Sequence, residues 1–254
     1  MDLLHGFADI SLLQLALVAG VALFASVVGG VTGYGGSALM PLVLVPIIGP
    51  EPVVPIVSIS GLFNNASRIL AFLRFADWKT ALIILPTALP LCMLGAYGYT
   101  KLTGAGVLIV IGTMLCLSVP FRRMLRHFDI RLGKGGLVAG SAGYGFLAGS
   151  TTGAGVILLS LLMAAGLEGA AVVATDAVVS VAIGVTKIFV FGFSGAMTAQ
   201  VIAFGLLIGL VALPGAFLAR AFVERLPVHV HTGILDAIVL VGGAVMIFGA
   251  FAER

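Results

Sequence analysis

The chain has 254 residues, of which 61% are hydrophobic and only 9% charged, and its net charge is +3; mean hydropathy is +1.24. So little polar surface cannot cover a water-soluble globule of this size, and such long, continuous apolar segments exclude the residue-by-residue alternation of an outer-membrane barrel. Lipid obliges each spanning segment to satisfy its own backbone hydrogen bonds, so the fold class is all-α: a polytopic transmembrane helical bundle embedded in the lipid bilayer.

The small basic excess sits in short loops, where membrane topology accounts for it, so no nucleic-acid partner is implied. Cys92 and Cys116 lie in separate apolar segments without disulfide or metal-ligand spacing. They read as small core residues, and the chain calls for no cofactor and no metal.

In chain order, the first ten residues carry Asp2 and Asp9 but no Lys or Arg. That is unlike the basic start of a signal peptide, so the first helix is expected to be retained. It runs from about Leu12 to Val28. No charged side chain occurs from Ile10 to Pro50, and this run is broken by Gly29-Gly30-Val31-Thr32-Gly33-Tyr34-Gly35-Gly36. A shorter apolar piece follows from Ser37 to Ile48, short for a crossing that needs about 20 residues, and Pro46, Gly49, Pro50 and Pro52 end it. The third segment, about Val53 to Phe75, carries Asn64, Asn65 and Arg68. Arg74, Asp77, Trp78 and Lys79 form an interfacial anchor before a fourth segment, Thr80 to Thr100, and a fifth, Gly104 to Pro120. The most charged stretch follows, with Arg122, Arg123, Arg126, His127, Asp129, Arg131 and Lys134.

The rest of the chain repeats the first part. A displacement of 120 residues carries Gly29, Thr32, Gly33 and Gly35 onto Gly149, Thr152, Gly153 and Gly155, Leu17-Val18-Ala19-Gly20 onto Leu137-Val138-Ala139-Gly140, Ser60 onto Ser180, and Gly95-Ala96 onto Gly215-Ala216. With one residue deleted, Arg68-Ile69-Leu70-Ala71-Phe72 aligns with Lys187-Ile188-Phe189-Val190-Phe191. Residues 1–120 therefore read as an N-terminal transmembrane repeat, 121–134 as a basic cytoplasmic linker and 135–254 as a C-terminal repeat. If each half crosses the membrane an odd number of times, Arg74 with Lys79, the linker, and Arg220 with Arg225 share one face. That is the positive-inside pattern, and it makes the two repeats inverted. An even count separates Arg220 and Arg225 from the other basic loops and is disfavoured. Loop charge does not distinguish a spanning first pair of segments from a re-entrant hairpin.

Interior glycines cost a helix about 1 kcal/mol each relative to alanine. Either they permit tight helix packing, or the helix is broken there and its freed backbone N–H groups, with the N-terminus of the next short helix, form an anion site. Thr32, Ser37, Ser150, Thr151 and Thr152 add hydroxyls that packing alone does not require. Spacings of three, four and seven place Gly61, Asn64, Asn65 and Arg68 on one helical face, and the same logic groups Asp176, Ser180, Gly184 and Lys187. Ionisable groups within a span are costly and mark functional sites by default, although Arg68 and Lys187 also lie near enough to a helix end to snorkel and Asp176 is close to the loop of Glu168. Asp236, His229 and His231 fit an interfacial helix end. No Ser-His-Asp, HExxH, cysteine-pair or Walker pattern is present, which argues against an enzyme.

In these features the chain resembles the TauE/SafE family, the sulfite-exporter-like membrane proteins also grouped as a toluenesulfonate-uptake permease family. The resemblance spans about Leu12 to Phe251. It rests on Gly33-Tyr34-Gly35-Gly36 running to Met40-Pro41, the Asn64/Asn65/Arg68 segment, Asp77-Trp78-Lys79 and Gly95-Ala96, in that order. The second copy departs from the first, with Gly153-Ala154-Gly155-Val156 and Ser160-Leu161, so a site built from both is expected to be asymmetric. The resemblance implies transport of a small sulfur-containing anion (sulfite, sulfoacetate or organosulfonate) across a bacterial inner membrane, coupled to a proton or sodium gradient. The expected substrate site comprises Thr32, Gly33, Tyr34, Gly35, Gly36, Ser37, Asn64, Asn65, Arg68, Thr151, Thr152, Gly153, Gly155, Ser180 and Lys187. Asp176 is the coupling candidate, or a counter-charge to Lys187 in the empty site. A passive anion channel built from the same groups is the alternative, and an intramembrane enzyme or accessory subunit a weaker one.

Overall fold

The computed structural model describes residues 6–7, 10–32, 35–127, 131–215 and 228–252, with backbone alone at 28–32, 35, 122–127, 228–235 and 252. Among the described residues there are ten α-helices and no strand: α1 (Leu12–Thr32), α2 (Gly35–Ile48), α3 (Val53–Phe72), α4 (Trp78–Tyr99), α5 (Gly104–His127), α6 (Lys134–Ser150), α7 (Gly155–Ala164), α8 (Gly169–Phe193), α9 (Ala199–Ala212) and α10 (Val228–Ala252). Val53–Phe75, Trp78–Tyr99, Gly104–Phe121 and Ala170–Phe193 are each long and apolar enough to cross a bilayer. At a rise of 1.5 Å per residue, α7 is about 15 Å long, half of a ~30 Å hydrocarbon core.

Most of the first glycine run is helical: α1 includes Gly29, Gly30 and Thr32, and α2 includes Gly35 and Gly36. An unpaired backbone group in lipid costs more than a glycine's helix penalty of about 1 kcal/mol, so glycine alone does not unwind a helix there. The second break covers more of the chain. Here α6 stops at Ser150, Thr151 is extended at φ −152° and ψ −174°, and α7 starts only at Gly155. Gly153 sits at φ +85°, a left-handed conformation that favours glycine over any residue with a Cβ. A third difference concerns the basic stretch after Pro120: α5 runs on through Arg122, Arg123 and Arg126 to His127, since arginine and leucine favour helix.

Local chemistry fixes where the helices start. Asp77 caps α4, its Oδ1 accepting from the Lys79 N–H at 3.0 Å and its Oδ2 from the Thr80 hydroxyl at 2.9 Å. Its own N–H donates to Thr175 Oγ1 at 2.9 Å, which ties the start of α4 to α8. Thr198 caps α9 in the same manner, accepting from the Val201 N–H.

Two apolar clusters hold the bundle together. One gathers Val18, Leu44, Ile56, Ile111, Leu115, Phe191, Phe204 and Met246 from α1, α2, α3, α5, α8, α9 and α10. The other gathers Ile84, Cys92, Tyr144, Leu158, Leu162 and Ile183 from α4, α6, α7 and α8. Small residues set the closest approaches. A Cβ on Gly145 would strike the Ala88 carbonyl, one on Gly149 the Cys92 carbonyl and one on Gly95 the Phe146 carbonyl, so α4 and α6 run parallel at backbone contact. Gly215 meets Ser26 on α1 at the repeat position that corresponds to Gly95 on Phe146. Ser26 also donates its hydroxyl to the Ala212 carbonyl at 2.6 Å.

The packing pairs match between the halves. α4 packs on α6 as α9 does on α1, α4 on α8 as α9 does on α3, and α5 on α7 as α10 does on α2, while α3 meets α8 and α5 meets α10. The last two pairs run antiparallel. Gly184 lies against Leu62 and Ser58, while Asp176 meets Arg68 further along α3. Gly112 faces Ile247, while Cys116 faces Leu240.

Candidate functional site

On α3 the Gly61, Asn64, Asn65, Arg68 face turns inward. Asn65 Nδ2 donates to the Gly61 carbonyl at 3.0 Å, and its Oδ1 accepts from Arg68 Nη1 at the same distance. That guanidinium nitrogen also lies 2.7 Å from Asp176 Oδ2 on α8, in an ion pair joining the two halves. Arg68 is 5% exposed and Asp176 1%. Both side chains thus face the inside of the protein rather than its outer surface. The partner of Asp176 is the arginine of the other half rather than Lys187 on its own helix.

Lys187 is equally buried, at 7% exposure, but its surroundings differ. Its Nζ donates to the Thr151 carbonyl at 3.1 Å, at the end of α6 where the helix break leaves the last carbonyls without an intrahelical partner. A cation on those carbonyls is favoured by the negative end of the helix dipole.

These groups surround one cavity of about 150 Å³. Gly36, Ser37, Asn64, Asn65, Arg68, Thr151, Thr152, Gly153, Gly155, Asp176, Ser180 and Lys187 all line it. Of the other sequence-derived positions, Gly33 and Tyr34 lie outside the described residues, and only the backbone is described at Thr32 and Gly35. Backbone alone is likewise described at His229 and His231. Asp236 is buried but does not line the cavity.

Sequence reasoning missed several wall residues: Ser26 on α1, Met40 on α2, Ser58 on α3, Tyr144 on α6, and Ile208 and Ala212 on α9. Tyr144 left one signal, as the only bulky polar side chain in the small-residue helix from Gly140 to Gly149.

Among the described residues, the buried side-chain atoms without a hydrogen-bond partner are Asn64 Oδ1, Thr152 Oγ1 and Asp176 Oδ1. All three residues line this cavity. Each such atom costs about 1–3 kcal/mol, and their collection in one place marks a site with unused hydrogen-bonding capacity. An apolar recess of about 920 Å³ between α4, α5 and α6 shares Tyr144 and Thr151 with it, and no charged residue lines it among the described residues.

The chain belongs to the sulfite exporter TauE/SafE family, whose model matches residues 18–246, nearly the whole chain. No curated protein and no solved structure matches it. Family membership makes the chain a membrane transporter of the sulfite-exporter type, with a small anion as substrate and the bilayer as its surroundings.

Proposed function

We propose that the chain is a secondary transporter that carries a small sulfur-containing anion, of sulfite, sulfoacetate or organosulfonate type, across a bacterial inner membrane by alternating access. The observation that carries this reading is the cavity itself. Residues beside both helix breaks line it, and so do the basic groups at the same repeat position, Arg68 and Lys187. The substrate would be held by Lys187 and Thr152 at the second break, by Ser37 and the start of α2 at the first, and by the Asn64/Asn65 face of α3.

In this reading the repeats, 1–120 and 135–254 joined by the linker 121–134, are inverted. Two facts support it. All the helix pairs but the minor contact of α6 with α8 exchange among themselves when each helix is replaced by the one five places along. The self-paired helices α3 with α8 and α5 with α10 are antiparallel, as an axis in the membrane plane requires and an axis along the membrane normal forbids. The short α7, with Gly155 on the cavity wall, is then a half-helix of the kind that presents its N-terminus to an anion. Asp176, the one carboxylate on the wall among the described residues, is the coupling candidate.

Flux in proteoliposomes tests this. Sulfite-type anion uptake should be driven by a proton or sodium gradient and fall to background in Lys187→Gln. Gradient-independent flux at channel rates would assign the same groups to a passive pore, and no flux of any sulfur anion would sink both readings.

A further inference from the structure

We infer that Asp176 determines the charge of the anion the site accepts, selecting a monoanion over a dianion. This rests on the cavity being the anion site proposed above. Among the described residues, three charged side chains line it: Arg68, Asp176 and Lys187. Arg68 and Asp176 are in contact at 2.7 Å and both buried, so together they add no net charge. Lys187 donates to a carbonyl, which is a dipole and supplies no counter-charge. One positive charge therefore remains.

A ligand with a single negative charge brings the occupied cavity to neutrality. A second negative charge would lack a partner in a medium where an unpaired buried charge is strongly disfavoured. Arg68 serves as that partner only by leaving Asp176, which strands the carboxylate instead. The unpartnered Asp176 Oδ1 adds direct repulsion against further negative charge. The first half holds no equivalent: a displacement of 120 residues puts Ile56 where the second half has Asp176. The charge balance thus hangs on one residue.

Sulfate and methanesulfonate share a tetrahedral frame and differ by one charge, which makes them suitable probes. As competitors of labelled sulfite binding to the detergent-purified protein, a readout that needs no coupling, methanesulfonate should act at least about ten-fold better than sulfate on the wild type. Asp176→Asn frees the guanidinium and should reverse that order. Arg68→Gln combined with Asp176→Asn returns the cavity to one positive charge and should restore the preference for methanesulfonate. Should the single variant not fold, Arg68→Lys combined with Asp176→Asn, which keeps two positive charges and no carboxylate on the wall, carries the test and should favour sulfate. Equal competition by the two anions in the wild type, competition by neither, or an unchanged order in Asp176→Asn overturns the assignment. Absence of labelled sulfite uptake by wild-type proteoliposomes, with sulfite binding and the order of the two competitors retained, overturns the transport reading alone.

Discussion

Arg68 and Lys187 are matched by the displacement that aligns the two parts of the sequence, both are buried, and both line one cavity, yet among the described residues only Arg68 has a counter-ion. Asp176 reaches it from the opposite half, whereas Lys187 rests on the carbonyl of Thr151 at a helix end. The neighbouring positions diverge in the same sense. Asn64 offers an amide where the displaced position is Gly184, and the space over that glycine is filled by Leu62. A repeat fixes where a side chain lies, but the group that faces it fixes what its charge is for. Arg68 joins the halves, and under the proposed function Lys187 is the charge left for the ligand.

Three experiments break or sharpen that contrast. The largest effect on stability should come from Arg68→Gln, which leaves Asp176 buried and unpaired at a cost of about 3–5 kcal/mol. Lys187→Gln should melt near the wild-type temperature in detergent, and equal losses in the two variants would break the comparison. A smaller cost, about 1–3 kcal/mol, is expected from Gly95→Val. Its side chain would strike the Phe146 carbonyl, whereas Gly98→Ala, with open space at that position, should be close to neutral. Least of all, Gly153→Ala should lose about 1–2 kcal/mol through its left-handed backbone alone. The nearest atom to a Cβ there is Leu115 Cδ2, at an ordinary 3.7 Å. Thermal melting in one detergent orders all of these.

Much of this was legible in the chain. Apolar runs gave the helices because lipid permits little else, and the three-and-four spacing put Asn64, Asn65 and Arg68 on one face. Helical spacing does not say which helix that face meets, so the pairing of Arg68 with Asp176, 108 residues away, was hidden. Tyr144 was marked only by its hydroxyl, since which of Tyr144 and Phe146 faces inward is not settled until α4 and α8 are placed beside them. The glycine run at Gly29 overstated the first break because glycine permits unwinding without compelling it. At the second break, Thr151 and Gly153 adopt backbone angles that no helix contains.

The close contact of α4 with α6 also bears on how the protein is made. Ala88, Cys92 and Gly95 find their backbone partners on a helix from the other side of the linker, and α1 likewise waits for α9. Until the second half has been synthesised, these surfaces of α1 and α4 lack the neighbours they pack against. Each half thus acts as an assembly template for the other, and the two expressed as separate fragments should accumulate together or be degraded apart.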